Sequence, residues 1–147
     1  MERCAADQAA CEASHHGRPD MRLPRRRRLT ESCHFREAFD QSRKFAGRCM
    51  ILWIRGGRGA DLRVGAVASS RSFRRSVDRS RARRFLREAF RRIRYRLHGE
   101  VDLVLLARPA LLASRANDRE KELLDLAKRA GILKPEIKHE EAACGEC

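Results

Sequence analysis

The chain has 147 residues, a length that allows one folded domain with tails. Its 34 Lys and Arg residues outnumber its 20 Asp and Glu residues, and the net charge of +14 indicates a polyanionic partner, either nucleic acid or an anionic membrane. No apolar run approaches the ~18 residues that a membrane span requires, and the N-terminus lacks the layout of a signal peptide. We therefore expect a cytoplasmic protein with no membrane partner.

The N-terminal part of the chain is predicted to contain an arm and a first helix. Residues 1–27 are largely polar and unpatterned and end in a basic run, which predicts a disordered basic arm. Thr30 is a fair helix cap, and the helix that follows is expected to extend to about Arg43. Phe35 and Phe39 fall on one side of it, where core packing is the ordinary expectation for at least one of them.

Two strands are predicted next. The apolar run Cys49–Ile54 and the run Leu62–Ala68 are separated by a glycine-rich turn, and this pattern predicts a β-hairpin. Alternation places Trp53 on one face of its strand together with an arginine, and it places Gly65 and Arg63 on one face of the next strand. A face with a tryptophan, arginines and a glycine is unusual for a core, so we expect it to meet a ligand.

The most informative stretch is a long helix that runs from Asp78, its predicted cap, to about Leu97. One apolar arc of this helix contains Ala82, Phe85, Leu86, Ala89, Phe90, Ile93 and Leu97. Another arc contains Arg83, Arg84, Arg87, Arg91 and Arg94. A merely solvated face normally mixes charges, whereas this helix carries Glu88 as the one acid after its cap. The pattern favours phosphate binding.

The C-terminal elements complete the predicted domain. Val101–Ala107 is almost continuously apolar, as expected of a buried strand with a parallel neighbour, and a last helix begins near Ser114 or Asn117. The sequence thus predicts a single α+β domain at 28–133, in the order helix, two strands with an optional third, helix, strand, helix. Residues 134–147 are predicted to form a charged flexible tail.

Catalytic and metal-binding patterns are scarce in the sequence. His34 and His98 are isolated, and no nucleophile–base pair or phosphate-loop pattern is present, so we predict no catalytic residue in the protein. We likewise predict no metal site. One zinc alternative stays open, because two polar tails contain residues with ligand chemistry. These are Cys4, Cys11, His15, His16, Cys144 and Cys147.

The arginine-rich helix resembles the signature of the bacterial ribonuclease P protein component family, Arg-Asn-Arg-x-Lys-Arg-x-x-Arg-Glu. The segment 79–88 reads Arg-Ser-Arg-Ala-Arg-Arg-Phe-Leu-Arg-Glu, with Ser80 in place of the usual Asn. Further family motifs match in order and spacing. They are Arg28-Leu29 followed by Phe35 and Phe39, Arg63-Val64-Gly65, Ala107-Arg108-Pro109 and Lys128-Arg129-Ala130-Gly131-Ile132.

The resemblance implies a small α+β sandwich with a mixed sheet and a left-handed strand–helix–strand crossover. It also implies a role as the protein subunit of ribonuclease P, an endoribonuclease that removes the 5′ leader of precursor tRNA. In that family the catalytic groups and the Mg²⁺ ions belong to the RNA subunit. The implied partners are therefore the ribonuclease P RNA and precursor tRNA, with no cofactor bound to the protein.

The resemblance further implies two sets of site residues. Those expected to contact the RNA subunit are Arg79, Ser80, Arg81, Arg83, Arg84, Arg87 and Arg91. Those expected at the cleft for the leader strand are Phe35, Phe39, Trp53, Arg63, Ser69 and Arg71. Two alternatives from other classes stay open: a ribosome-associated or general RNA-binding module without a role in cleavage, and a zinc-dependent nucleic-acid binder.

Overall fold

The computed structural model describes residues 22–135, which form an α+β domain and confirm the predicted fold class. Short 3₁₀ turns at Arg25–Arg27 and Arg94–Arg96 accompany the main elements. These elements are α1 (Ser32–Asp40), β1 (Lys44–Ala46), β2 (Met50–Gly56), β3 (Val64–Val67), α2 (Ser76–Ile93), β4 (Val101–Ala107), α3 (Ala110–Ala113) and α4 (Ala116–Ala130).

The four strands form one mixed sheet in the order β1-β2-β4-β3. β4 pairs antiparallel with β2 and parallel with β3, so the predicted buried strand with a parallel neighbour is confirmed. The predicted hairpin is wrong, because β4 lies between β2 and β3. Leu62, the predicted start of the strand, has φ 45°, and this left-handed backbone delays β3 until Val64. A further strand, β1, lies at the edge of the sheet and precedes β2, whereas the optional strand is predicted after the first two.

Strand alternation gives the sheet two different faces. One face packs against α2, α3 and α4 and forms the main core, in which Leu52, Ile54 and Leu103 are buried. The opposite face packs against α1 through a smaller cluster around Val104, with Trp53 and Val67 partly buried. The sheet therefore lies between α2, the arginine-rich helix, and α1. Near β3, side chains of the two helices come close together.

Two predicted helix starts differ from the structure by one to three residues. α1 begins after Glu31 rather than Thr30. α2 begins after Arg75, so Asp78 lies in its first turn instead of capping it. An acid in the first turn still interacts favourably with the helix dipole, so Asp78 marks this end of the helix without being its cap. At the other end, α2 changes to a 3₁₀ turn after Ile93.

The basic run before α1 makes contacts with the folded domain where it is described. Leu23 packs against the main core, and residues 25–27 form a 3₁₀ turn. The guanidinium Nη1 of Arg27 lies 3.0 Å from a carboxylate oxygen of Asp61. Leu23 and Arg27 thus attach this part of the chain to the domain.

Some predictions fall outside the described part of the chain. The tail cysteines and histidines of the zinc alternative all lie before residue 22 or after residue 135, as do most of the predicted arm and tail. Within 22–135, none of the helices combines the length and the apolar character needed to cross a membrane.

Candidate RNA interface

The predicted RNA-contacting arginines of α2 carry charge that no local acid neutralises. α2 buries Leu86, Phe90 and Ile93 against the sheet, which turns its other sides outward. Within residues 22–135, no carboxylate forms a salt bridge with any arginine of the following set. The set is Arg79, Arg81, Arg83, Arg84, Arg87 and Arg91.

Glu88, the acid on the outer side of α2, pairs with an arginine outside this set. Glu88 accepts a hydrogen bond from Arg92 Nη2 at 3.1 Å, and a carboxylate oxygen of Glu120, on α4, lies 3.7 Å from Arg92 Nη1. Arg92 is therefore the neutralised arginine of this helix. Within the described part of the chain, the arginines of the set above have no such acid partner, so α2 presents a net positive surface.

The positive surface continues from α2 across to the segment before α1. A cleft of about 510 Å³ lies there, with Phe35 and Thr30 on one side and Arg28 and Arg87 on another. A second depression of about 330 Å³ shares Arg28 and Arg87 and extends along α2. Its further lining residues are Leu23, Arg84, Glu88 and Arg91.

Arg87 lies close to two other arginines on this surface. Burial, together with the positive charges of Arg28 and Arg83, lowers the pKa of Arg87 from its ordinary value. Like charges held this close repel one another, and an anion placed between them relieves that repulsion. A phosphate group can accept two parallel hydrogen bonds from the fork of a guanidinium group.

Two motif residues have structural contacts of their own. Arg79 Nη1 donates to the carbonyl oxygens of Phe73 and Arg74, each at 3.0 Å, and so ties the preceding loop to α2. Arg81 lies beside Phe85 of the next helical turn, with its guanidinium carbon 5.8 Å from the ring centroid. Ser80, which departs from the family signature, is exposed beside them.

An aromatic pair occupies the other side of the sheet. The rings of Phe39 and Trp53 meet edge to face, with centroids 5.0 Å apart and planes at 86°. Lys44 Nζ lies 5.5 Å from the Trp53 centroid, and Phe39 is 39% exposed. An exposed aromatic with an adjacent ammonium group suits the stacking of an unpaired base beside its phosphate.

Phe35 is placed differently from Phe39, although the resemblance implies a cleft role for both. The Phe35 ring packs directly on Gly65, where the Cβ atom of any larger residue would collide with the ring edge. Gly65 is therefore needed for close approach, and Phe35 anchors α1 to β3. One edge of Phe35 still lines the 510 Å³ cleft.

Arg63, predicted to lie at the cleft for the leader strand, has its guanidinium group paired inside the domain, and its role at the cleft stays a prediction. Its Nη2 and Nε donate to the Asp102 carboxylate at 2.8 and 3.0 Å. The same carboxylate accepts a hydrogen bond from Arg55 Nη1 at 2.7 Å, and Arg55 also pairs with Glu37. Arg55 and Arg63 suggest a ligand-binding face in the sequence. In the structure both pair with Asp102, a residue distant in the sequence.

The remaining predicted cleft residues lie in the loop before α2. The Ser69 hydroxyl accepts a hydrogen bond from the backbone N–H of Ser72 at 3.2 Å, which shapes the loop, and Arg71 is exposed on it. The structure adds Arg28 and Lys44 to the candidate interface. The basic run indicates Arg28, whereas Lys44 is brought to Trp53 by β1, a strand that the sequence pattern does not predict at this position.

Comparison with known proteins identifies relatives of this chain. The family model described as Ribonuclease P matches residues 23–131. A ribonuclease P protein component from Thioalkalivibrio sulfidiphilus is 37% identical over 92 residues, covering 63% of this chain and 76% of the relative. The corresponding protein from Brevibacillus brevis is 28% identical over 112 residues, covering 76% and 89%.

Solved structures share the fold. The ribonuclease P protein of Staphylococcus aureus superposes with a TM-score of 0.62 at 18% identity, covering 74% of this chain and 98% of its own. The protein from Thermotoga maritima gives a TM-score of 0.61 at 22% identity, covering 69% and 96%. These likenesses establish the architecture, and the sequence matches establish the ancestry.

Proposed function

This chain belongs to the ribonuclease P protein family, and we propose that it serves as the protein subunit of a ribonuclease P that matures the 5′ ends of tRNA. Membership implies an RNA partner within a ribonucleoprotein. We further propose that this partner is a catalytic ribonuclease P RNA, which α2 contacts through its arginines. The observation that carries the proposal is the arginine surface around Arg87, for which residues 22–135 offer no neutralising acid.

The second part of the proposal concerns precursor tRNA. The Phe39–Trp53 pair offers a stacking surface for unpaired leader bases, and Lys44 lies close enough to meet the adjoining phosphate. The two RNA contacts lie on different elements of one domain. By neutralising phosphates on both molecules, the protein lowers the cost of bringing two polyanions together.

Chemistry at the scissile phosphate is assigned to Mg²⁺ ions held by the RNA. Mg²⁺ prefers oxygen ligands in octahedral geometry. Within residues 22–135, the one group of three metal-ligating side chains contains a single carboxylate beside a thiol and an imidazole, which is a poor match for Mg²⁺. In this proposal the protein's own residues bind and orient RNA.

The deciding experiment is cleavage of precursor tRNA by a ribonuclease P RNA at a magnesium concentration too low for the RNA alone. We expect the purified full-length protein to restore cleavage at the mature 5′ end, because its arginines replace part of the counter-ions that magnesium supplies. A ribosome-associated or general RNA-binding module would bind RNA without restoring cleavage. Failure to rescue, with a protein that still binds the RNA, would refute the proposal.

A further inference from the structure

A cluster of metal-ligating side chains lies at the start of α1, separate from the arginine surface. Glu31 precedes the helix, yet its carboxylate makes no capping hydrogen bond to the first-turn amides. Its Oε2 instead lies 3.6 Å from Cys33 Sγ and 3.6 Å from His34 Nδ1. All three ligand atoms lie within 4.8 Å of one another.

We propose that Glu31, Cys33 and His34 form a binding site for Zn²⁺. Zinc holds sulfur at ~2.3 Å and nitrogen or oxygen at ~2.0–2.2 Å, so tetrahedral coordination places ligand atoms ~3.4–3.6 Å apart. The two contacts of Glu31 already have this spacing. A mixed set of thiolate, imidazole and carboxylate selects zinc over magnesium or calcium.

The burial of His34 Nδ1 also supports the assignment. Its Nδ1 atom is buried and has no hydrogen-bond partner within the described residues, although the side chain as a whole is 16% exposed. A buried polar atom without a partner is costly, and a metal ion satisfies it. Cys33 is exposed, and the Glu31 side chain is 65% exposed, so an ion has access from solvent.

Binding would have three consequences. The Cys33 thiol loses its proton to solvent as the sulfur–zinc bond forms, so affinity rises with pH. Three protein ligands leave a fourth position for water. The metal would also fix the first turn of α1. Because Phe35 and Phe39 lie on this helix, the metal would thereby order the aromatic side of the candidate interface before RNA arrives.

Co²⁺, as a spectroscopic substitute for zinc, tests the proposal in the full-length protein. The starting variant replaces the four tail cysteines by serine (Cys4, Cys11, Cys144 and Cys147), which leaves Cys33 and the buried Cys49 as thiols. We expect one Co²⁺ per chain, with the thiolate-to-cobalt absorption and visible bands of a tetrahedral site. Added Zn²⁺ should displace the cobalt.

Substitutions in this background locate the site. Cys33→Ser should abolish the thiolate-to-cobalt absorption, and His34→Gln should weaken binding by at least ~10-fold, since even indirect supports of metal ligands contribute that much. His98→Gln, at an exposed histidine after α2, is the matched control and should change nothing. Absence of cobalt binding in the starting variant, or absorption that survives Cys33→Ser, would overturn the proposal. Neither result bears on cleavage, which is measured separately.

Discussion

Asp102 illustrates how one buried carboxylate decides which arginines remain available to an anionic partner. It is fully buried and accepts hydrogen bonds from Arg55 and Arg63, and the backbone amide of Asp61 donates a further bond. Burial alone would raise the pKa of Asp102, but the hydrogen bonds from Arg63 and Asp61 and the nearby positive charges hold it below its ordinary value. This carboxylate therefore stays ionised and fixes both arginines in the domain.

We expect Asp102→Asn to lower the free energy of unfolding by ~3–5 kcal/mol, because it leaves Arg55, 4% exposed, without its buried partner. Asp61→Asn, which removes an exposed pair with Arg27, is the control and should cost less than ~1 kcal/mol. Urea unfolding measures both.

Because the pKa of Asp102 is lowered on folding, its contribution to the free energy of unfolding is complete above the ordinary aspartate value of ~3.9 and disappears as pH falls through the lower folded value. An equal loss of unfolding free energy in Asp102→Asn and Asp61→Asn would contradict the central role of Asp102.

Phe39 supports a prediction about substrate choice. Its exposed ring is expected to stack on a leader base, so Phe39→Ala should weaken binding of precursor tRNA to the holoenzyme by ~1–3 kcal/mol. Mature tRNA has no leader and should bind unchanged. Tyr95→Ala removes another exposed aromatic, beyond the end of α2, and serves as the matched control. An equal loss for precursor and mature tRNA would remove Phe39 from the leader site.

At the scale of elements, α2 joins the core to the candidate RNA interface. Its apolar side is buried against the sheet, and its arginines line the two depressions beside Arg28. Arg83→Ala combined with Arg87→Ala should weaken binding of the RNA subunit and make the dependence of log K on log salt shallower by ~1.4–1.8, at ~0.7–0.9 per phosphate contact. Binding titrations across several salt concentrations measure this slope.

Arg92→Ala is the control for that experiment. Arg92 lies on the same helix, but it already pairs with Glu88 and Glu120, so its removal should leave the slope nearly unchanged. If the double variant kept the wild-type slope, the arginine surface of α2 would not be the RNA contact. If Arg92→Ala flattened the slope equally, the effect would reflect net charge rather than position.

The elements that sequence predicts well are those whose information is local. The two arcs of α2 follow from helical spacing, and the apolar run of β4 marks a central strand before any partner is known. The hairpin error has a different origin, since strand order depends on which strand best fills the middle of the sheet. Likewise, no local pattern pairs Arg63 with Asp102, 39 residues away, or brings Lys44 opposite Trp53 through a three-residue edge strand.

The whole molecule carries a net charge of +14, which opposes its own compactness. The arginines around Arg87 concentrate that repulsion in one place, and the Asp102 network relieves it in another. A multivalent anion that binds the folded surface should therefore stabilise the fold, because it binds the native state in preference to the unfolded chain. Under the proposed function, stability and RNA binding would therefore be coupled through the same guanidinium groups.

Pyrophosphate tests this coupling without RNA. At about ten times its Kd it should add ~1.4 kcal/mol to the free energy of unfolding and raise the midpoint of thermal unfolding by about 5 °C. Trp53, the single tryptophan, provides a fluorescence signal for the transition. Sodium chloride at the same ionic strength should give a much smaller rise, and the Arg83→Ala, Arg87→Ala variant should lose most of the pyrophosphate effect. A shift that chloride reproduces, or that the variant retains in full, would show that the anion acts by general screening and that no built phosphate surface surrounds Arg87.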